Sequence, residues 1–257
     1  MKMWWMAMVA VTVLVGCSTV PTSFNPSRPL APGKFSHQDL DAVVQAYVRN
    51  GQVNYPVIQV DRRFTQYLDQ LDRVDPNSLS REDRLAFWIN AYNAYAIKGI
   101  LDGATPGTLM GRYRYFIGRD YRIGGTFVNL YDLERKILVA QFHDPRIHFA
   151  IVCASTSCPK LQPWTYRGAE LNRQLDYVAR AFINDPTRNR FDREKKIAFL
   201  SKIFDWFTED FEAQAGLLSR YVAQYVADPD LAHDLTATPY RIEFLDYDWS
   251  LNGTPPK

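Results

Sequence analysis

The sequence predicts an α+β fold, with a central buried helix and surrounding helices packed on a small, mostly antiparallel sheet. Three observations predict it. Residues 85–101 are apolar nearly all round, the pattern of a helix enclosed on every side. Short strand-like runs follow, broken by turn signals such as Gly124-Gly125. The order is helical first and mixed afterwards, without the regular strand–helix alternation of a doubly wound sheet.

Taken in chain order, Ser36 and Asp39 read as a helix start, with Val43, Val44, Tyr47 and Val48 on its apolar face and Gly51 as its stop. A second short helix carries Phe64, Tyr67, Leu68 and Leu71, and Pro76-Asn77 marks a turn. Ser80-Arg81-Glu82-Asp83 then opens the central helix, which runs to about Leu101. Residues 113–117 and 121–123 read as strands, and residues 126–128 return from the Gly124-Gly125 turn. Asn129 caps a helix over residues 131–139, and Asp144-Pro145 is a turn. Residues 146–152 read as a buried strand and residues 153–165 as a loop. Residues 168–184 form an amphipathic helix with Leu171, Leu175, Val178, Ala179 and Phe182 inward. A strand over residues 197–200, helices near residues 205–211 and 216–227, and a strand over residues 240–244 complete the order.

The N-terminus points to export. Lys2 precedes an apolar run from Met3 to Gly16, shorter than the roughly 20 residues a membrane-spanning helix needs. A positive start and an apolar middle are the anatomy of a signal peptide. The run ends in Leu14-Val15-Gly16-Cys17, followed by Ser18, which resembles a bacterial lipobox whose cysteine is acylated after cleavage. The alternative is an ordinary signal peptide with a chance cysteine. Pro21, Pro26, Pro29 and Pro32 stiffen the stretch that follows, which at about 3.1 Å per residue spans on the order of 50 Å when extended. The organisation expected is a lipoprotein signal peptide over residues 1–16, a lipidated proline-rich tether over 17–34 and a single domain over 35–257. Ser18 rather than Asp after the cysteine resembles lipoproteins of the Gram-negative outer membrane, facing the periplasm.

The 30 basic and 28 acidic side chains give a net charge of +2, no field for capturing nucleic acid, so no nucleic-acid partner is expected. Hydrophobic residues at 47% exclude a wholly disordered chain, and aromatics at 14% suffice for a large core.

Chemistry concentrates in Cys153-Ala154-Ser155-Thr156-Ser157-Cys158-Pro159, delivered by a segment that begins near His148. Several readings compete. Two cysteines in an exported chain suit a disulfide, Cys153–Cys158. They also suit a thiolate nucleophile with His148 as base. On an ideal strand His148 and Cys153 point to opposite faces, which makes Cys158 the better nucleophile. Unpaired structural thiols are a third reading. Metal is a fourth, but His143, His148 and the two cysteines follow no familiar zinc spacing, so no metal is assigned. Asn90 and Asn93, one turn apart on the central helix, suit a ligand, a histidine to be oriented, or loop backbone. Asp132 and Glu134 read as first-turn helix acids. His37 and His233 read as surface residues, and Lys202, Asp205 and Asp210 as part of a docked amphipathic helix.

Three separated blocks then resemble one family. They are residues 86–94 (Ala-Phe-Trp-Ile-Asn-Ala-Tyr-Asn-Ala), residues 146–159 with His148, Cys153 and Cys158, and Tyr247-Asp248-Trp249-Ser250-Leu251-Asn252. Together they are similar to the DUF547 family over about residues 38–252. The family's function is uncharacterised, so the resemblance implies no established reaction, but it groups His148, Cys153 and Cys158 as one feature. Its pattern often has a histidine just after the acid of the Glu134 segment. Arg135 stands there in this chain, which leaves His148 as the main imidazole.

The leading expectation is an envelope lipoprotein acting as a cysteine-dependent hydrolase or acyl transferase. Cys158 attacks, His148 moves the proton, Glu134 or Asn90 orients the ring, Asn93 adds to the substrate site and N–H groups near Ser157 hold an oxyanion. No cofactor is expected. The partners expected are the membrane, through the lipid on Cys17, and an unidentified substrate or envelope protein. The alternative is a binding module stapled by Cys153–Cys158. A redox protein is a weaker third reading, because the spacing is not Cys-x-x-Cys.

Overall fold

The structure, a computed structural model, describes residues 23–256 apart from residue 32. The expected signal peptide and Cys17 lie outside the described residues. Helix α1 (Gln38–Tyr47) runs into strand β1 (Val48–Arg49), which turns through Asn50 and Gly51 into β2 (Gln52–Asn54). Gly51 therefore serves a hairpin, at φ +82°, and is not a helix stop. After the short α2 (Tyr55–Ile58), α3 (Arg62–Arg73) starts on Asp61, whose carboxylate accepts the Arg63 N–H, and buries Phe64, Tyr67 and Leu71. The central helix α4 (Arg81–Leu101) is capped by Ser80, whose hydroxyl accepts the Asp83 N–H at 3.1 Å. Every residue from Leu85 to Ile97 is buried, as the all-round apolar pattern requires.

Residues 113–117 form a helix, not the expected strand: α5 (Leu109–Phe116) is seeded by Thr108, whose side chain accepts the Gly111 N–H. That cap outweighs the strand preference of the aromatics. Strands β3 (Tyr121–Ile123) and β4 (Thr126–Val128) pair antiparallel around Gly124-Gly125 as expected. One helical rod follows, made of α6 (Leu130–Asp132), a wide π-turn over Leu133–Val139 and α7 (Ala140–Phe142), with Asn129 accepting the Asp132 N–H at its start.

A second correction lies at residues 146–152. Only the stretch from Ile151 is extended, because Ile147–Ala150 winds into the short helix α8. Asp144 starts this turn by accepting the Arg146 N–H and gripping its guanidinium, with Pro145 between them. The chain continues through α9 (Leu171–Ile183), β5 (Arg190–Asp192), β6 (Ile197–Leu200), α10 (Lys202–Trp206), α11 (Thr208–Ala215), α12 (Leu218–Ala223), α13 (Pro229–Ala237), β7 (Arg241–Phe244) and β8 (Gly253–Thr254).

The fold is α+β, with three small sheets in place of one: β1-β2-β8, β3-β4 and β5-β6-β7. Most pairings are antiparallel, while β2–β8 and β6–β7 are parallel. The parallel β2–β8 pair ties residues 253–254 beside α2. The described part of the proline-rich stretch lies along the domain: the Leu30 N–H donates to the Arg73 carbonyl at 2.9 Å, and Phe24 packs on Trp88 with ring centroids 5.6 Å apart. No helix of the described residues is long and apolar enough to cross a membrane.

Candidate functional site

Two asparagines on α4 hold loop segments beside it, and the second of these segments leads to the site. Asn90 donates to the Tyr166 carbonyl at 2.8 Å and accepts the Tyr166 N–H at 2.9 Å. Asn93 does the same one turn later, donating to the Ala150 carbonyl at 3.0 Å and accepting the Val152 N–H at 2.9 Å. Each amide imitates a strand neighbour for a chain segment that has none. Both side chains are buried, and neither lines the cleft described below. They hold loops, each committing one N–H and its oxygen to backbone groups.

The segment held by Asn93 leads into the cysteine loop. Cys153 and Cys158 are joined as a disulfide, with Cα atoms 6.3 Å apart. Ala154 stands at φ +60°, a left-handed conformation that a residue with a Cβ adopts at some cost. The terminal block straps this loop down: the Thr156 N–H donates to the Ser250 carbonyl, the Ser157 N–H to the Asp248 carbonyl and the Asn252 N–H to the Ala154 carbonyl. Asn252 in turn accepts from the Tyr55 hydroxyl at 2.6 Å. Ser157 also accepts the Asp248 N–H at 2.9 Å. Its hydroxyl and N–H are thus engaged by the strap, so the oxyanion donors expected near Ser157 are already committed.

Donors converge instead on Cys158 Sγ. The Cys153 N–H lies at 3.0 Å, the Tyr247 hydroxyl at 3.1 Å and the Ser155 hydroxyl at 3.4 Å. Tyr247 and Ser155 are 2.8 Å apart and both also reach Cys153 Sγ at 3.3 Å.

His148 stands in the same cleft, on α8. Its Nε2 lies 2.8 Å from Asp210 Oδ2 on α11, and its ring stacks against Phe207 with centroids 3.7 Å apart. The hydrogen bond from His148 holds the Asp210 carboxyl below the usual range. An ionised carboxylate only accepts, so Nε2 carries the hydrogen, and in the neutral ring the lone pair falls on Nδ1. Nδ1 is buried with no hydrogen-bond partner among the described residues. No hydrogen bond joins the ring to either sulfur among the described residues. Asp210, read from the sequence as part of a docked helix, is therefore the residue on the imidazole, in the place expected for Glu134 or Asn90.

Glu134 faces the cleft from the π-turn and accepts the Tyr92 hydroxyl at 3.3 Å. Burial pushes its carboxyl up, against the opposing pull of His148, Arg135 and the Tyr92 hydrogen bond. Arg135 does not enter as an imidazole substitute. Its guanidinium sits 4.3 Å from the centroid of Phe207. Trp206, Tyr247 and Trp249 form an aromatic cluster, with Trp206 and Trp249 stacked at 5.6 Å. Together these side chains line a cleft of about 180 Å³, apolar in most of its wall, with Glu134, Arg135, His148, the disulfide and tyrosine side chains among its polar features.

A larger cavity, about 820 Å³, lies between residues 29–38 and the start of α4. His37 lines it and is not the surface residue expected: its Nδ1 lies 2.8 Å from the Tyr67 hydroxyl and Phe35 meets its ring edge-on. Burial lowers its pKa from 6.5 to about 4. The smaller cleft is the candidate site because the reactive side chains converge there. Sequence reasoning missed Asp210, Tyr247, Trp206 and Tyr92 as parts of it. Tyr247 carried a signal, standing in the third family-like block, whereas nothing local marks Asp210 as a histidine partner.

Residues 76–183 match a family model described as "Protein of unknown function, DUF547", which bears out the resemblance over that span. The span includes Asn90, Asn93, Glu134, His148 and both loop cysteines, and stops short of Asp210, Tyr247 and Trp249. No curated protein and no solved structure matches the chain.

Proposed function

We propose that this chain is a lipid-anchored envelope protein, acylated at Cys17, whose cleft performs thiol-based acyl chemistry once the Cys153–Cys158 bridge is reduced. The lipobox-like end of the leader and Ser18 support the anchor and its outer-membrane, periplasm-facing address. One observation carries the chemistry: the Cys153 N–H and a linked hydroxyl pair, Ser155 and Tyr247, reach Cys158 Sγ in the cleft that holds an imidazole with no partner on Nδ1 among the described residues. A disulfide sulfur is a weak acceptor and gains little from the N–H and the one hydroxyl hydrogen the pair can spare, whereas a thiolate is stabilised by both.

In this reading a dithiol reductant converts the bridge to two thiols and leaves as its own disulfide. Freed from the bridge, the Cys158 thiol turns towards His148, gives its proton to Nδ1 and attacks a carbonyl carbon, and the oxygen takes up the negative charge. Collapse forms a thioester and expels an alcohol or amine, which takes the proton from His148. Water, or an acceptor nucleophile, then cleaves the thioester and restores the thiol. Asp210 keeps the ring in the required tautomer and offsets the positive charge that His148 gains.

The test is turnover of a panel of chromogenic esters and thioesters with and without a phosphine reductant. Hydrolysis that requires reduction and falls at least a hundredfold in Cys158→Ser and His148→Ala supports the proposal. A reduced protein whose cysteines alkylate freely yet turns over nothing, while intact and folded, sinks it. That outcome favours the second reading, a binding module for an apolar or aromatic ligand, for which the closed disulfide in the cleft wall is the supporting observation.

A further inference from the structure

We propose that the outer face of α5 and the β3–β4 hairpin form a docking surface for an anionic phospholipid bilayer. This rests on the acylation of Cys17 proposed above. Leu109, Met110 and Tyr113 on α5 and Ile117 at its end are all exposed, Leu109 by 78%. At about 100° per residue these four positions fall within an arc of about 100°. Arg112 and Arg114 flank that arc on its two sides, and neither has a carboxylate partner among the described residues. Arg112 lies 4.8 Å from the Trp249 ring, and Arg114 is exposed. An apolar stripe edged by arginines is the arrangement of a helix lying in a membrane interface, where the stripe enters the acyl boundary and the guanidinium groups meet phosphates. The hairpin that follows carries the same pairing of an exposed apolar side chain with an arginine. Phe127 on β4 is 60% exposed, with the Arg122 guanidinium 5.5 Å from its ring.

The length of chain between anchor and domain selects lipid as the occupant. The described chain meets the domain at this hairpin: Phe24 packs against Gly124, and the Asn25 carbonyl against Gly125. From Cys17 to Phe24 the backbone spans at most about 25 Å when fully extended. An acylated Cys17 therefore keeps Phe24, and the hairpin edge it packs on, within about that distance of the headgroups. The long tether that the proline-rich sequence suggests is largely spent along the domain, so the body stands near the bilayer with this face as the one closest to its point of attachment. Asp120 is the exposed carboxylate of the connecting turn, and Asp102 and Asp72 are each paired, to Arg119 and Arg122.

The experiment places the photoreactive amino acid p-benzoylphenylalanine at Tyr113, at Phe127 or, as a control on α9, at Tyr177 of the full precursor expressed in a Gram-negative host. Irradiated cells are fractionated, and adducts are read by mass spectrometry, as is the acyl group on Cys17. The result expected is a phospholipid adduct at 113 and 127 at least fivefold above that at 177, reduced severalfold by Arg114→Glu. Adducts at 113 and 127 that are absent, or that are to protein, in a chain that carries its acyl group overturn the docking surface and leave the anchor standing. A mature chain without an acyl group on residue 17 overturns the anchor and this inference with it.

Discussion

At the scale of single residues, the chain places several titratable side chains where water is scarce, and each responds according to what surrounds it. His37 is the case with a measurable consequence for stability. Folded, its ring stays neutral until about pH 4, because enclosure beside Phe35 and Tyr67 disfavours the cation more than Asp83 and Asp41 favour it. Unfolded, the same ring takes up a proton at about pH 6.5. Between these values the unfolded chain binds more protons, so stability rises with pH. The contribution is fully present above pH 6.5 and is lost as pH falls towards 4. A shift of this size corresponds to about 3 kcal/mol. Asp61 and Asp234, held near 2 by Arg63 and Lys196, lose their contributions only below this window. We expect the melting temperature of the native chain to fall from pH 6.5 to pH 4.5 more steeply than that of His37→Gln. Parallel curves for the two would show that the ring is open to solvent.

At the scale of elements, the site depends on α4 acting as a template. Its apolar faces carry the core, and its two asparagines replace a sheet partner, Asn93 for the segment that leads into the cysteine loop and Asn90 for the chain at Tyr166 beyond it. Removing the Asn93 amide leaves the Ala150 carbonyl and the Val152 N–H buried and unpaired, at roughly 1–3 kcal/mol for each group. Asn93→Ala is therefore expected to lose about 3–5 kcal/mol in urea unfolding and to speed hydrogen exchange at Val152 and Cys153. A loss below about 1 kcal/mol would mean that the loop is held by the terminal strap alone. The same elements show how far the sequence could be read. Long helices with polar caps were legible, since Ser80 and the unbroken run behind it state both the start and the burial of α4. So were the β3–β4 hairpin, through its two glycines, and the inward face of α9 with Leu171, Leu175 and Val178. Short apolar runs were not. Residues 146–152 carry the composition of a strand, but Asp144 and Pro145 impose one helical turn before the chain extends. Residues 113–117 follow the same logic, with Thr108 deciding for helix. In the candidate site, His148 and the cysteine pair could be found by residue type and clustering. Asp210 could not, because its meeting with His148 is made by the packing of α11 on α8, across 62 residues of chain.

At the scale of the whole molecule, both ends of the described chain are tied to the body, and each tie bears on function. The C-terminal end pairs β8 with β2 and straps the cysteine loop through residues 248–252. The N-terminal end lies across the β3–β4 hairpin and α3, where the Leu30 N–H reaches the Arg73 carbonyl and the Arg73 guanidinium reaches the Arg28 carbonyl at 2.9 Å. This second tie depends on glycine. Gly125, at φ +79°, has no side chain where a Cβ would stand 2.3 Å from the Asn25 carbonyl oxygen and 2.8 Å from Pro26 Cα. Those neighbours are backbone and ring, so they can yield only by lifting the segment away. Gly103 serves as the comparison: it shares the left-handed backbone, at φ +81°, but has nothing within 4 Å of the same position. An alanine at either site pays the backbone cost of a positive φ, about 1–2 kcal/mol. Only Gly125→Ala adds the collision, and its effect is confined to the segment over residues 24–30. Limited proteolysis should therefore cut Gly125→Ala within residues 24–34 at least tenfold faster than the native chain, and Gly103→Ala at the native rate. If the two variants are cut alike, the segment is not held by the hairpin, and the short distance between anchor and domain argued above goes with it.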